Sequence, residues 1–194
     1  MKKRVWGLTG SIGAGKTEAG KYFQSLGADF INADEVVRRI YEPDQPGYLK
    51  LVNYFGDKFF DKKGQVDTKK LGAFIFSDEN KRKIVNFLIH PVVFSETQKM
   101  VDQSKASVIF VEAIDFDPEY LGKLISGMIW IQSSLELQRE RVEKRGGFAQ
   151  KNFDLIYRAQ MKPVVIDEVV ENLGTLEVFQ QKLQELWVKK LQNG

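Results

Sequence analysis

Short apolar runs and stretches with helical spacing alternate along the chain, and their order predicts the architecture. Val5 to Thr9 is a mostly apolar run ending in Gly10, followed by Ala19, Tyr22, Phe23 and Leu26 at helical spacing before Gly27. That order reads as strand, glycine loop, helix and helix end. Phe30-Ile31 makes a second short strand. The opening thus predicts β-α-β with a right-handed crossover, with both strands ending on one edge of a parallel sheet.

The pattern then turns helical: Val36, Val37, Ile40 and Tyr41, next Leu49, Val52 and Phe55, and later Ile84, Val85, Leu88 and Ile89. Pro43, Pro46, Gly47 and Gly64 punctuate this region, and Asp67 or Ser77 is a candidate cap for the helices beyond Gly64. A mainly helical insertion is expected. Val108 to Val111 and Met128 to Ile131 are continuous apolar runs of the kind a buried parallel strand shows. Ser133 with Glu136 has capping-box spacing and is expected to open an arginine-rich helix that stops near Gly146-Gly147. A polar helix over about Lys151 to Met161, a short strand at Val169-Val170 and a C-terminal helix with Leu176, Phe179, Leu183, Leu186 and Trp187 on one face complete the expectation. The fold class is therefore α/β, a parallel sheet core flanked by helices, in one domain over 1–194. Its core is expected at about 1–34 and 106–194, a helical subdomain at about 35–105 and a lid at about 139–161.

Composition narrows the chemistry. The 194 residues carry 29 Lys and Arg against 26 Asp and Glu, a net charge of +3, so no general basic excess points to nucleic acid. With no cysteine there is no thiolate nucleophile and no Cys-ligated metal, and a cytoplasmic location is expected. The opening Met1-Lys2-Lys3-Arg4 resembles the start of a secretory signal, but glycines and Lys16 interrupt the apolar segment such a signal needs, so it reads as mature sequence. No stretch approaches the roughly 18 consecutive apolar residues of a membrane span.

Gly10-Ser11-Ile12-Gly13-Ala14-Gly15-Lys16-Thr17 satisfies G-x-x-x-x-G-K-[ST] in full, after a predicted strand and at the start of a predicted helix. Glycines let successive amides turn inward around phosphate oxygens at a helix N-terminus. Lys16 reaches the β and γ phosphates, and the Thr17 hydroxyl is placed to ligate Mg²⁺. Ser11 to Thr17 together with Glu18 are the candidate nucleotide contacts.

Asp34 closes the second strand on the loop's edge, where it is a candidate base for an attacking hydroxyl and a candidate metal ligand; a plain N-cap of a helix starting at Glu35 is the competing reading. Glu112 ends the run from Val108 and is a candidate metal-orienting carboxylate, with Asp115 and Asp117 close by. Arg139, Arg141 and Arg145 are spaced for one exposed helix face, from which a mobile lid could bring guanidinium groups onto phosphate. His90, the only histidine, stands before Pro91 at the expected end of an apolar helix and reads as a structural hydrogen-bonding group. Asp61-Lys62-Lys63-Gly64 matches D-x-x-G but does not come after a strand, and no N-K-x-D occurs, which argues against a GTPase.

Beyond these motifs the chain resembles the dephospho-CoA kinases. The resemblance runs nearly end to end, through Gly7-Leu8-Thr9-Gly10 and the phosphate loop, Ile31-Asn32-Ala33-Asp34, Glu42-Pro43, Phe55-Gly56, Ile75-Phe76, His90-Pro91, Arg141 with Arg145, Gln160-Met161, and Val169-Val170-Glu171-Asn172 with Gly174. It implies a nucleoside-monophosphate-kinase-like fold and transfer of the ATP γ-phosphate, with Mg²⁺, to the ribose 3′-hydroxyl of dephospho-CoA, the last step of coenzyme A biosynthesis. It also implies Asp34 as base, Arg141 as a catalytic arginine, Arg145, Asn172 and Gly174 as nucleotide contacts, and acceptor binding by the region 35–105. Asn32 stands where the family carries a first Asp, Ala113-Ile114-Asp115-Phe116 replaces a P-L-L run, Ser11 replaces a glycine and Glu18 a threonine. Another small-molecule or nucleotide kinase, or a nucleotide-dependent regulator without catalysis, are the alternatives. The expected partner is the small-molecule acceptor, with no nucleic acid and no membrane; a monomer is expected and an oligomer left open.

Overall fold

A computed structural model of the chain describes residues 3–160, 163 and 165–191. The chain ends and Met161, part of the Gln160-Met161 motif and of the expected 151–161 helix, lie outside the described residues. Strands β1 (Arg4–Thr9), β2 (Asp29–Asn32), β3 (Val108–Glu112), β4 (Gly127–Gln132) and β5 (Glu168–Glu171) form one wholly parallel sheet in the order β2-β3-β1-β4-β5. Because β3 lies between β1 and β2, their two carboxyl ends flank that of β3. Helix α1 (Lys16–Ser25) links β1 to β2. Helices α2 (Ala33–Ile40), α3 (Pro46–Phe55), α4 (Thr68–Ser77) and α5 (Glu79–Gln103) fill the stretch to β3. Helices α6 (Leu135–Arg145), α7 (Gly147–Lys151) and α8 (Phe153–Ala159) lie between β4 and β5, and α9 (Leu176–Leu186) runs into a π-helical turn at Trp187–Leu191. Among the described residues, no helix is long and apolar enough to cross a membrane.

A strand projects alternate side chains to opposite faces, so a sheet covered on both sides needs apolar residues at every position. β3 meets that demand with four buried apolar residues, Val108 to Val111, before the buried Glu112. Ile109 and Val111 join one core with Val36, Ile40, Leu51 and Ile89 from the helices after β2. Val108 and Phe110 join the other with Phe23 from α1 and Phe179, Leu183 and Trp187 from the C-terminal helix. Phe23 lies flat on Phe110, ring centroids 4.2 Å apart. Leu176, read as part of that buried face, is exposed.

Four local expectations are corrected. The apolar helix does not end at His90-Pro91: α5 continues through Pro91 to Gln103, because Val85, Ile89, Val93, Thr97 and Val101 form one buried stripe across it. That stripe outweighs the backbone hydrogen bond Pro91 cannot make. Asp67 caps α4, but Asp78 rather than Ser77 caps α5. The polar segment after Gly146 is two short helices, interrupted at Asn152. Ser134, not Ser133, caps α6 through its contact with the Leu137 amide.

Phe23→Ala should destabilise the protein by about 3–5 kcal/mol, since the ring is fully buried between α1 and β3 and its loss leaves a cavity. Chemical denaturation should show a lower midpoint with an unchanged slope; a loss under about 1 kcal/mol would mean that the core on the α1 face of the sheet does not pack as described.

Candidate active site

The loop between β1 and α1 curves back on itself before the helix starts at Lys16. Gly13 has φ 76° and Gly15 φ 105°, conformations that favour glycine. Both are also hemmed in: a Cβ on Gly13 would stand 2.5 Å from the Gln138 carbonyl oxygen, and one on Gly15 2.3 Å from the Asn172 side-chain nitrogen. Turning peptide amides inward turns carbonyls outward, and those need donors. Asn172 Nδ2 donates to Ala14 O at 2.8 Å, and Arg141 donates to Gly13 O at 3.3 Å and to Ala14 O at 3.4 Å. Arg141 also donates to Ser133 Oγ at 3.1 Å and to Asn172 Oδ1 at 3.1 Å. The two side chains therefore brace the loop from behind.

Inside the curve, Lys16 Nζ donates to Gly10 O at 2.8 Å and to Ser11 O at 3.2 Å. Its side chain is buried, and burial pushes its pKa down while Glu112 and Asp34 pull the other way. The Ile12 amide donates to Gln160 Oε1 at 2.8 Å, so a side-chain oxygen engages one of the loop amides. A cavity of about 300 Å³ opens here, lined by Ile12, Gly13, Gly15, Lys16, Thr17, Asp34, Phe76, Glu112, Arg145 and Gln160 among others.

Glu112 stands at the carboxyl end of β3, in register with Leu8 of β1 and Asn32 of β2. The Thr17 hydroxyl donates toward both of its carboxylate oxygens at 3.0 Å, and Asn32 Nδ2 donates to Oε2 at 3.0 Å. Burial raises the Glu112 pKa, against the pull of the Lys16 ammonium. Among the described residues no group of three or more His, Cys, Asp or Glu could hold a metal ion. The Thr17 hydroxyl and the Glu112 carboxylate are in contact, and the Asp34 carboxylate lines the same cavity. That suits Mg²⁺, which is commonly held through one or two carboxylates with substrate phosphates and water completing the shell.

The competing reading of Asp34 as an N-cap is corrected. Helix α2 begins at Ala33, and Asn32 is its cap, Oδ1 accepting from the Asp34 amide at 2.8 Å and the Glu35 amide at 3.3 Å. The Asp34 carboxylate is left exposed on the wall shared by the phosphate cavity and a second one of about 240 Å³. This second cavity is apolar on the α4 and α5 side, through Ile75, Val85, Ile89 and Val93, and has Tyr41, His90, Asp115, Asp117 and Tyr120 on its rim. His90 Nδ1 lies 3.3 Å from Asp117 Oδ2.

The three arginines do not share one exposed face. Arg139 pairs with Asp154 at 2.8 Å and lies over the Phe153 ring, Arg141 turns inward to the loop carbonyls, and Arg145 alone of the three lines the phosphate cavity. The outward carbonyls of the loop supply the reason for Arg141. Of the other sequence candidates, Ile12, Gly13, Gly15, Lys16, Thr17, Asp34 and Glu112 converge on that cavity, whereas Ser11, Ala14, Glu18, Asn172 and Gly174 are not among its lining residues. Asn172 is buried behind the loop, and Gly174 is exposed just before α9. Sequence reasoning misses Phe76, Ile156 and Gln160 as site residues; two of them carry a signal, in the motifs Ile75-Phe76 and Gln160-Met161. Asn32 holds two parts of the site together.

Comparison with known proteins agrees with this geometry. The family model for dephospho-CoA kinase matches residues 4–177. The chain is 31% identical over 186 residues to the dephospho-CoA kinase of Thermobifida fusca, which covers 93% of each protein. It is 32% identical over 186 residues to that of Carboxydothermus hydrogenoformans, covering 92% of this chain and 90% of that one. The crystal structure of TT1252 from Thermus thermophilus matches with a TM-score of 0.79 at 24% identity, over 98% of this chain and 99% of that one, a likeness of fold.

The Gln160 contact is expected to compete with phosphate. Gln160→Leu should therefore tighten ADP binding about 3- to 10-fold by isothermal titration, the worth of one hydrogen bond that no longer has to be broken. Weaker binding would mean that Gln160 serves the nucleotide rather than its empty site.

Proposed function

The chain belongs to the dephospho-CoA kinase family, and from that premise we propose how its own residues divide the work of an ATP-dependent phosphotransferase. The reaction moves the γ-phosphate of ATP to the ribose 3′-hydroxyl of dephospho-CoA, giving CoA and ADP. The observation that carries the residue assignment is the position of Asp34, whose carboxylate lines both the phosphate cavity and the adjoining apolar one. A hydroxyl presented from the second cavity meets a phosphate held in the first at that residue.

In this reading the loop amides from Ile12 to Thr17 cradle the β and γ phosphates, and the Lys16 ammonium lies against them. Asp34 accepts the proton of the 3′-hydroxyl as its oxygen forms a bond to the γ-phosphorus, while the bond from that phosphorus to the β-γ bridging oxygen breaks. Lys16 and Arg145 balance the negative charge spread over the transferring group, in a site from which much water is excluded. Thr17 and Glu112, with Asp34 on the same cavity wall, are the residues that would hold Mg²⁺, which when bound neutralises phosphate charge and orients the phosphates. Arg141 and Asn172 act through the loop, keeping its amides aimed inward. The region 35–105 supplies the acceptor cavity, with Asp34 and His90 near its mouth, and the segment 139–161 closes over the nucleotide. A monomeric protein acting in the cytoplasm belongs to the same reading.

Because Asn32 caps α2, replacing the Asp34 carboxylate leaves the cap intact. Asp34→Asn should lower kcat about 10²- to 10⁴-fold, with ATP affinity and melting temperature little changed. The readout is ADP release coupled to NADH oxidation, run with dephospho-CoA, shikimate and nucleoside monophosphates as acceptors. Wild-type turnover with dephospho-CoA alone, lost in Asp34→Asn, is the expected result. Turnover retained in the variant would move the base elsewhere, and turnover with another acceptor would reassign the second cavity.

A further inference from the structure

Asn32 joins two parts of the site that the sequence keeps eighty residues apart. Its side-chain oxygen accepts from the Asp34 and Glu35 amides, fixing the first turn of the helix that carries Asp34. Its side-chain nitrogen donates to Glu112 Oε2 at 3.0 Å, on the carboxylate that also receives the Thr17 hydroxyl. An uncharged amide has both an acceptor and a donor, so one side chain serves both ends. An aspartate there would cap the helix equally well but would bring a second carboxylate against Glu112.

Resting on the kinase reading, we propose that Asn32 is a positioning residue that holds Glu112 against Thr17 and, by staying uncharged, leaves Glu112 as the one carboxylate at the strand ends beside the Thr17 hydroxyl. With Asp34 on the same cavity wall, a divalent cation then meets one hydroxyl and at most two carboxylates, too few ligands to be retained without phosphate. It enters with the nucleotide's phosphates. The facing charges are Lys16 and Arg145, which repel a lone cation, and Glu112 and Asp34, which attract it. One more acid at position 32 would tip that balance.

The test is Mn²⁺ alone, without nucleotide, followed by the electron paramagnetic resonance signal of the free ion. Wild-type protein should leave Mn²⁺ largely free. Asn32→Asp should bind it at least ~10-fold more tightly, the scale on which residues behind a metal ligand act, and should gain melting temperature with Mn²⁺ where the wild type does not. Asn32→Ser keeps a capping oxygen but is too short to reach Glu112. It should melt somewhat below the wild type, having lost the Glu112 hydrogen bond, and lose ~10-fold in affinity for ADP with Mn²⁺, with no gain for Mn²⁺ alone. If Asn32→Asp takes up no more Mn²⁺ than the wild type, or Asn32→Ser binds ADP with Mn²⁺ normally, Asn32 is a helix cap only and the proposal falls. These readouts involve no acceptor. A gain of Mn²⁺ in a protein that phosphorylates no acceptor would retain the role of Asn32 and remove the kinase reading; normal transfer with no gain would do the reverse.

Discussion

A peptide unit has two polar ends, and a loop that points its amides at an anion must point its carbonyls away from it. Much of this molecule around the nucleotide site answers that constraint. The outward carbonyls of Gly13 and Ala14 are met by Arg141 from α6 and Asn172 from the end of β5, and these two side chains bond to each other. The helix after β4 and the last strand of the sheet are thereby fastened to the loop after the first. The steric pressure that makes glycine necessary at positions 13 and 15 comes from the same two elements, through the Gln138 backbone and the Asn172 side chain. Bracing and cradle are two sides of one arrangement.

The inward side has its own constraint, a cation buried beside a buried acid. Lys16 and Glu112 are 9% and 6% exposed, which is tolerable only because each has partners: loop carbonyls for the ammonium, and the Thr17 hydroxyl and Asn32 amide for the carboxylate. The parallel register of β1, β2 and β3 delivers these groups together, since Leu8, Glu112 and Asn32 lie side by side across three strands. Asp34, two residues beyond, is left free of capping duty and lines both cavities.

Those parts of the fold that depend on local pattern were legible in the sequence. The strand–loop–helix opening, the buried strands at Val108–Val111 and Met128–Ile131 and the helical insertion all arise from periodicity, because a doubly covered sheet requires unbroken apolar runs. The phosphate loop was legible from its motif, and Glu112 from its place at the end of an apolar run. The illegible parts depend on contacts between distant segments. Helical spacing puts Arg139, Arg141 and Arg145 near one another, but only the presence of loop carbonyls turns Arg141 inward. Pro91 reads as a stop, yet a buried stripe on both sides carries the helix through it. Asn32 against Asp34 as the cap is a shift of two residues that no spacing rule decides, and the Gln160 contact with Ile12 spans 148 positions.

The proposed reaction brings a γ-phosphate and a ribose hydroxyl together at Asp34, and phosphorus NMR of the product formed from dephospho-CoA and ATP tests that alignment most directly. A new phosphomonoester resonance coupled to the ribose H3′ proton should grow as the γ resonance of ATP disappears. A new resonance coupled to H2′, or loss of the γ resonance to inorganic phosphate with the acceptor unchanged, would contradict it.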